Sequence, residues 1–502
     1  MPTRLPFDEL LVPVRQSSAR VSTGVLARYA SAMLLLPERP READWQALPH
    51  GALLRRLFNE KPRKPGDQLE TRVGARAETL LVMGVIDEDA STFKRLQWGA
   101  QLARAALKPD PKAVLLFAQG CDAVSGAESQ SATIAALEAA AFRLPQFKSK
   151  PPQRPRLERI DLKRSGRLAV LEVTLATAAG NNLARWLTAL PPNHLNARGY
   201  RRLLEQVARR LGLKFKYYGE RELKRLGAGA FLAVAQGNAT RDAGIAHLAY
   251  RPRGARDADV SLVGKGICFD TGGTNLKPHK SMLDMHTDME GSAVALGSLY
   301  ALTQLKSSLA TDCWLAVTEN RIGPTAYQPQ DVVRALNGTT IQVIHTDAEG
   351  RMVLADTLAL AARKKPRLMI DYATLTGACV YALTERYSGA FSNRPKTRAL
   401  IEAAGVRSGE RVWCFPMDDD YETDLESGIA DIMQCAVEGK GDHILAARFL
   451  RRFVPDSIAW LHLDLSAGTR SGGLAHVTTD ITGFGVRYTL DLLRRGWPKV
   501  GA

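Results

Sequence analysis

The chain has 502 residues, of which 45% are hydrophobic and 24% charged, and it carries a formal net charge of +16. This ordinary globular composition excludes wholesale disorder, and the length exceeds what one hydrophobic core usually supports, so we expect two domains. No run approaches the roughly 18 apolar residues of a membrane span, and the N-terminus lacks the charged-then-apolar order of a signal peptide. The six cysteines are scattered without a CxxC pair, as is typical of reduced thiols, so the sequence predicts a soluble, cytoplasmic protein.

The excess positive charge is concentrated in one block, from Lys148 to Arg225, which holds 19 lysines and arginines against 6 acidic residues. Such a block could attract nucleic acid or another polyanion. It interleaves few aromatic residues and contains no helix-turn-helix signal, so a solvated helix face is the simpler interpretation. DNA binding, alone or besides another activity, stays the alternative function.

Residues 1 to about 165 alternate strand-like and helical segments. Ala77–Ile86 and Lys112–Ala118 are apolar runs that predict buried strands, whereas Phe93–Leu107 and Ser131–Phe142 are alanine-rich at helical spacing. The pattern predicts an α/β domain without any group of residues that would carry catalysis. Oligomer contacts are one role open to it.

A linker follows this domain. The segment Phe147–Arg156 has four basic residues and three prolines in ten positions, which is typical of a linker or an exposed edge. We therefore predict an N-terminal domain over residues 1–165, a linking segment and helix over residues 166–190, and a larger catalytic domain over residues 191–502.

Strands and helices continue to alternate in the larger domain. The clearest strands are Ile245–Tyr250, Val260–Phe269 and Leu368–Tyr372. The segments before them are predicted as a helix over Thr174–Leu190 that ends at a proline pair, an amphipathic helix over Ala197–Leu211, a strand over Lys214–Tyr218 and a helix over Glu220–Leu226. The pattern indicates an α/β sandwich with a mostly parallel central sheet, in which sites lie at the carboxyl ends of the strands.

A first group of charged residues lies at the end of the second of these strands. Lys265 interrupts the apolar strand, Asp270 follows it, and Lys277 comes in the glycine-rich loop after it. Further on, Asp284 and Asp288 stand where an apolar helix begins. A lysine inside an apolar strand needs a partner, which a carboxylate or a metal ion would supply.

A second group is the stretch HTDAEGRMVLAD, residues 345 to 356, between a predicted strand, Thr339–Ile344, and a predicted helix. Asp347, Glu349 and Arg351 are crowded into this strand-to-helix turn. The arrangement is costly unless cations compensate the acids and an anion compensates the arginine.

If the two groups converge, Asp270, Asp288, Asp347 and Glu349 share one site. Four carboxylates within a few ångströms cannot all stay ionised unaided. Two divalent cations about 3.5 to 4 Å apart would resolve the conflict, as in two-metal hydrolytic sites. Oxygen-rich ligation admits Mn, Mg or Zn, and a two-metal phosphoesterase would suit the same acids.

Each of these residues also has a simpler interpretation. Asp288, Asp347 and Glu349 can be acids of a first helical turn, where the positive end of the helix dipole stabilises a negative charge. Lys277 can be a surface lysine, and Arg351 can simply pair with a carboxylate.

The neighbouring histidines are less attractive as ligands. His286 and His345 lie beside the acids, but the chain lacks an H-E-x-x-H helix, so we do not favour them. His462, in a strand-like segment, is expected to be structural, and Asp284 is expected to be a surface acid.

Four motifs carry a resemblance to a known family. VGKGICFDTGGTNLKP, MLDMHTDMEGSA, HTDAEGRMVLAD and DYATLTGA, in this order, resemble the cytosol (leucine) aminopeptidase family, whose hallmark reads NTDAEGR. The resemblance extends from about Asn182 to TGFGVR at residues 482 to 487, nearly all of the larger domain. It implies a metal-dependent aminopeptidase that hydrolyses the N-terminal peptide bond of short peptides through a metal-bridged water.

The resemblance also implies a set of metal ligands. Lys265, Asp270, Asp288, Asp347 and Glu349 match the family's ligands for two divalent metals, with Asp270 and Glu349 bridging them. Mn or Zn is then expected, and a free α-amino group bound as a neutral amine would explain a preference for unblocked N-termini.

Further roles follow from the same resemblance. Lys277 matches the lysine that polarises the scissile carbonyl and stabilises the oxyanion, and Arg351 matches the arginine that holds a bicarbonate acting as general base. The positions that match the family's first side-chain pocket are Met285, Thr374, Leu375 and Gly377. Similar enzymes form hexamers, so a homohexamer is expected.

Three positions depart from the family pattern. His345 replaces the asparagine that opens the motif, His286 stands where a lysine is common, and Glu290 replaces the first glycine of a usual Met-Gly-Gly. None is a ligand position, so we expect activity with an altered side-chain preference, metal preference or pH optimum.

Overall fold

The computed structural model describes residues 5–150, 157–164, 166 and 168–495. The chain forms two compact units, Phe7–Ala178 with Ser471–Asp480, and Ala179–Arg470 with the described residues of both chain ends. The cut between Ala178 and Ala179 falls inside the segment 166–190. Residues 151–156 of the predicted linker lie outside the described part.

The first unit is built on a six-stranded sheet with the order β1-β6-β5-β2-β4-β3, parallel except for the pair β3–β4. Its strands are Val14–Ser17 (β1), Ser31–Pro37 (β2), Gln68–Val73 (β3), Thr79–Ile86 (β4), Ala113–Ala118 (β5) and Arg159–Lys163 (β6). Its helices are Thr23–Leu26 (α1), Glu42–Gln46 (α2), Gly51–Asn59 (α3), Thr92–Ala106 (α4) and Ala123–Ala141 (α5), after which Leu171–Thr188 (α6) crosses the boundary.

Both faces of this sheet are covered, which explains the continuous apolar runs of β2 and β4. Met33 and Leu35 face a core formed with α4 and α5, whereas Leu34 and Leu36 face a core that contains Trp45 of α2. The alternation is the ordinary two-residue period of a strand.

The second unit contains an eight-stranded sheet with the order β15-β14-β17-β13-β9-β10-β8-β7. Its strands are Lys214–Gly219 (β7), Gly244–Tyr250 (β8), Val260–Asp270 (β9), Thr311–Asn320 (β10), Leu368–Ala373 (β13), Ser388–Ser392 (β14), Val412–Cys414 (β15) and Ala459–Asp464 (β17); a small separate sheet holds Val332–Arg334 (β11), Thr340–Gln342 (β12) and Ile432–Met433 (β16). The central strands β17, β13, β9 and β10 are parallel, so their carboxyl ends meet at one edge.

The second unit also contains helices of different lengths. They are Ala197–Leu211 (α7), Glu220–Leu226 (α8), Gly229–Ala235 (α9), His279–Met282 (α10), Glu290–Gln304 (α11), Glu349–Ala362 (α12), Gly377–Leu383 (α13), Arg398–Ser408 (α14), Asp442–Arg451 (α15) and Val486–Arg494 (α16). Short 3-10 helices occur at Phe7–Glu9, Met285–Thr287, Thr384–Arg386, Pro395–Thr397 and Asp419–Leu425. In the part of the chain that the structure covers, no helix is long and apolar enough to cross a membrane.

The helices α11 and α12 sandwich β9. A Cβ on Gly264 would lie 2.4 Å from the Cα of Ser292, so glycine is what lets α11 approach the strand. Val263 and Ile267, on the other face, share a core with Met352 of α12. Lys265 belongs to this second face by the two-residue period, which aims it at the start of α12.

Most predicted elements are present, and two differ. Helix α5 begins at Ala123, well before the predicted Ser131, because Asp122 caps it by accepting hydrogen bonds from the backbone N–H groups of Val124 and Ser125. The predicted strand Thr339–Ile344 is reduced to β12, which pairs in the small sheet and leaves the following residues as a loop.

The basic block contributes helices α7 and α8, and several of its side chains have acidic or aromatic partners. Arg198 lies 3.0 Å from Asp242, and Lys216 lies 2.8 Å from Glu222. The guanidinium of Arg201 also stacks over the ring of Tyr217. These contacts suit a solvated helix face, and DNA binding stays a prediction.

Candidate active site

The two predicted groups of charged residues converge at the carboxyl edge of the central strands. Asp270 is the last residue of β9, Asp288 directly follows the 3-10 helix that precedes α11, and Glu349 is the first residue of α12. Asp270, Asp347 and Glu349 offer carboxylate oxygens that lie within 4.8 Å of one another. Segments distant in the sequence thus meet as the strand-end argument predicted.

Lys277 holds two of these carboxylates. Its Nζ lies 2.9 Å from Oδ2 of Asp270 and 2.5 Å from Oδ1 of Asp347. Its side chain is 14% exposed, so Lys277 is not the simple surface lysine that the sequence also allowed.

Lys265 holds the remaining two. Its buried Nζ lies 2.8 Å from Oδ1 of Asp288 and 2.9 Å from Oε1 of Glu349, and it donates a hydrogen bond to the carbonyl oxygen of Thr374 at 2.9 Å. The hydroxyl of Thr374 also donates to Asp288 at 2.8 Å. The lysine inside an apolar strand therefore has the acidic partners that its burial requires.

The cluster contains fewer positively charged groups than carboxylates. Burial raises the pKa of Asp288 to about 8 and that of Asp347 to about 6, and repulsion from neighbouring carboxylates adds to both shifts. Burial also lowers the pKa of Lys265 and of Lys277, but the carboxylates outweigh it and hold both pKa values above the ordinary one. Two ammonium groups face four carboxylates, and additional cations would keep the acids ionised.

The residues present fit divalent metal ions. Oδ2 of Asp288 is buried and has no hydrogen-bond partner among the described residues. Carboxylate oxygens are hard donors that suit Mn, Mg or Zn, and the lysine amine can complete such a set. An orphaned buried oxygen beside three clustered carboxylates is the expected state of a ligand set.

A second layer of side chains, which the sequence analysis did not identify, fixes the two acidic loops. Asn320, paired with Asp270 in the parallel register of β10 and β9, donates to Asp270 Oδ1 at 2.8 Å and to the carbonyl of Thr346 at 3.0 Å. The hydroxyl of Tyr327 donates to the same carbonyl at 2.7 Å. Thr346 N–H in turn donates to the side-chain oxygen of Asn275 at 2.9 Å.

Arg351 has an acidic partner of its own. Its guanidinium is buried, and Nη2 donates to both carboxylate oxygens of Asp442 at 2.8 Å. This is the alternative of pairing with a carboxylate that the sequence left open. Asp442 occupies Nη2 in this arrangement, and the bicarbonate expected on Arg351 stays a prediction.

The residues expected to line a side-chain pocket lie at the end of β13 and before α11. Thr374 contacts Asp288 and Lys265, and Met285 begins the 3-10 helix Met285–Thr287. The backbone N–H of Leu375 donates to Asp464 at 3.0 Å, and Gly377 begins α13. Their role in a pocket stays a prediction.

The histidines beside the acids are outside the three-carboxylate group. Burial lowers the pKa of His286, and burial together with the charge of Lys277 lowers that of His345. Nδ1 of His345 accepts a hydrogen bond from the backbone N–H of Asp347 at 3.2 Å. His462 is buried with Nδ1 2.6 Å from Asp371, as expected of a structural histidine.

The fold and the site together define a hydrolase of the carboxylate-rich metal-dependent class. A family model described as "Cytosol aminopeptidase family, catalytic domain" matches residues 182–490. The chain belongs to this family and is a metal-dependent aminopeptidase, a metallo-exopeptidase.

Relatives agree over most of the chain. A "Probable cytosol aminopeptidase" of Synechococcus sp. (strain CC9605) is 38% identical over 441 residues, covering 84% of this chain and 87% of the relative. A second "Probable cytosol aminopeptidase", of Polaromonas naphthalenivorans (strain CJ2), is 36% identical over 470 residues, covering 92% of this chain and 89% of the relative.

Solved structures show the same fold. A mutant of tomato leucine aminopeptidase superposes with a TM-score of 0.84 at 27% identity, covering 97% of both chains. The bottromycin maturation enzyme BotP in complex with Mn gives a TM-score of 0.80 at 30% identity, covering 92% of this chain and 99% of BotP.

Proposed function

We propose that the chain removes the N-terminal residue of short peptides with two divalent metal ions, Mn or Zn, held by Lys265, Asp270, Asp288, Asp347 and Glu349. The observation that carries the proposal is the buried cluster in which four carboxylates share two ammonium groups. A Mn complex of the related BotP supports manganese as one of the two candidates.

The side chains of the site would have different roles in the reaction. When bound, the cations would lower the pKa of a water and polarise the scissile carbonyl. Lys265 and Asp288 would complete the inner part of the ligand set. Lys277, the more accessible lysine, would donate to the oxyanion that develops on the scissile carbonyl, which is often the largest catalytic contribution.

The substrate side of the proposal rests on the same cluster. A neutral α-amino group can act as a metal ligand, whereas an acetylated nitrogen cannot, so the site would select unblocked N-termini. Met285, Thr374, Leu375 and Gly377 would contact the first side chain. We further propose a cytoplasmic homohexamer, supported by the names of the relatives for the compartment and by the family resemblance for the assembly.

The experiment is hydrolysis of a panel of aminoacyl-p-nitroanilides and their N-acetylated counterparts by chelator-treated protein, before and after adding back Mn, Zn, Co or Mg. Asp347→Asn is the test variant, and Asp284→Asn, an exposed acid of the neighbouring loop, is the matched control. Activity should need metal and a free amine, vanish in Asp347→Asn and persist in Asp284→Asn. Folded protein without activity under any metal would overturn the proposal.

A further inference from the structure

The ion pair between Arg351 and Asp442 lies beside the metal-ligand cluster. Arg351 is 1% exposed and follows Glu349 by two residues on α12. Asp442 is the first residue of α15, and its side chain is 25% exposed. The arginine is therefore buried, whereas the carboxylate that it binds is partly exposed to solvent.

The geometry of the pair is that of an occupied anion site. Nη2 of Arg351 donates to both oxygens of Asp442 at 2.8 Å, and Nη1 donates to the carbonyl of Gln434 at 3.3 Å. Nε is buried without a hydrogen-bond partner among the described residues. The charge of the guanidinium is already balanced, so a second anion would be desolvated beside a neutral pair and gain little.

Asp442 and Lys277 both lie within electrostatic reach of His345. The charges of Lys277, Asp442 and Arg351 all act on His345, which precedes Asp347 by two residues. The charge of Glu349 acts on Arg351. A carboxylate held on both oxygens by one guanidinium keeps a free lone pair on each, so it can still accept a proton.

We propose that Asp442 is the built-in anion of Arg351 and replaces bicarbonate as the proton acceptor of the reaction, an inference that rests on the proposed function. As the water oxygen bonds to the scissile carbonyl carbon, its proton passes to the Asp442 carboxylate. When the C–N bond breaks, the same proton passes to the leaving amine. Asp442 ends ionised as it began, and the reaction requires no bicarbonate.

The experiment compares wild type with Asp442→Ala, Asp442→Asn and the control Glu438→Gln, whose side chain is 72% exposed. All are loaded with the same metal in bicarbonate-free buffer, and kcat and KM are measured with and without added bicarbonate or formate. In parallel, calorimetry measures formate binding to the metal-free proteins, and circular dichroism checks that each variant is folded.

We expect wild type and Glu438→Gln to be unaffected by bicarbonate. Asp442→Ala should lose about 10²- to 10⁴-fold in kcat, the usual range for a general base. Formate or bicarbonate should restore it at least tenfold and saturably, because the vacated position accepts a small carboxylate. Asp442→Asn should lose as much without rescue, because the amide fills the space. Calorimetry should detect formate in Asp442→Ala and not in wild type.

Three results would overturn the inference. They are stimulation of wild type by bicarbonate, an unchanged kcat in either Asp442 variant, and a loss in Asp442→Ala that neither anion relieves while calorimetry detects no formate. If Asp442→Ala does not fold, the inference is tested by the bicarbonate response of wild type and by the kcat of Asp442→Asn. If all proteins lack activity, the proposed function fails, and formate binding confined to Asp442→Ala still supports the anion position.

Discussion

The ammonium of Lys265, in the middle of β9, lies 2.9 Å from the carboxylate of Glu349, the first residue of α12. The contact depends on the residue after the acid. A Cβ on Gly350 would lie 2.6 Å from Cε and 2.8 Å from Nζ of Lys265. The glycine of the acidic motif, in α12, thus leaves room for the lysine side chain that comes from β9.

Gly350→Ala should displace the Lys265 ammonium and weaken metal binding. The added methyl group meets the flexible end of a side chain rather than backbone, so the fold should tolerate it while the amine moves away from Glu349 and Asp288. We expect about a 10- to 100-fold loss of metal affinity, the range seen when a ligand loses its support. Metal titration of the chelator-treated protein measures it.

Gly428→Ala is the matched control, because a Cβ there meets nothing within 4 Å and its backbone has no positive φ. Metal affinity should be unchanged in this variant. Equal affinities in Gly350→Ala and wild type would show that Lys265 does not contribute to metal binding.

Asn320→Ala should loosen the metal centre without removing a ligand. The amide supports Asp270 and the loop that carries Asp347, so its loss leaves both acids less well oriented. A 10- to 100-fold loss in metal affinity is expected, of the order reported for residues that support ligands. Thr346→Val, which removes the hydroxyl that bonds the carbonyl of Gly272, should give a smaller loss of the same kind. Unchanged metal affinity in both variants would contradict this view of the second layer.

The ligand candidates could be found from the sequence because each stands in a local pattern. Asp270 ends an apolar strand, Asp347 lies just before an apolar helix, and Glu349 begins that helix. Sites are expected at the carboxyl ends of such strands, and the packing of α12 on β9 brings the acids together. The family resemblance then supplied roles that spacing does not specify. The α/β fold and most helix and strand bounds follow from periodicity in the same way.

Asn320 and Asp442 could not be found in this way. Each makes its decisive contact across 50 or 91 residues of chain, and neither belongs to a motif with a characteristic spacing. Only the tertiary structure brings Asn320 beside Asp270 and Asp442 beside Arg351. The proposal that Asp442 takes the place of the expected bicarbonate therefore depends on the tertiary structure, because nothing in the local sequence distinguishes this residue.

Glu410 should make the protein less stable as the pH rises from about 5 to 7. Burial raises the pKa of its carboxyl from the ordinary 4.5 to about 7, although Gly485 and Tyr488 donate backbone hydrogen bonds to it. A pKa raised in the folded state means that the folded protein binds the extra proton, so this stability is full below about pH 4.5 and is lost as the pH approaches 7. The loss is up to about 3 kcal/mol, at 1.36 kcal/mol per pKa unit.

Urea unfolding of wild type and Glu410→Gln at several pH values, with chelator present, tests this. The glutamine keeps an acceptor for the two backbone donors and does not titrate, so its stability relative to wild type should increase from pH 5 to 7. A constant difference between the two proteins would contradict the assignment.

Lys277→Met should separate catalysis from metal binding. The ammonium lies 2.9 Å from Asp270 and 2.5 Å from Asp347, so it competes with a cation for both carboxylates. Its removal should leave metal affinity equal to or higher than that of wild type, while kcat falls about 10²- to 10³-fold because the oxyanion loses a donor. Lys280→Met, which replaces an exposed lysine of the nearby helix α10, is the control and should match wild type in both quantities. A parallel fall of metal affinity and kcat would instead make Lys277 a residue that assembles the centre, and an unchanged kcat would remove it from the mechanism.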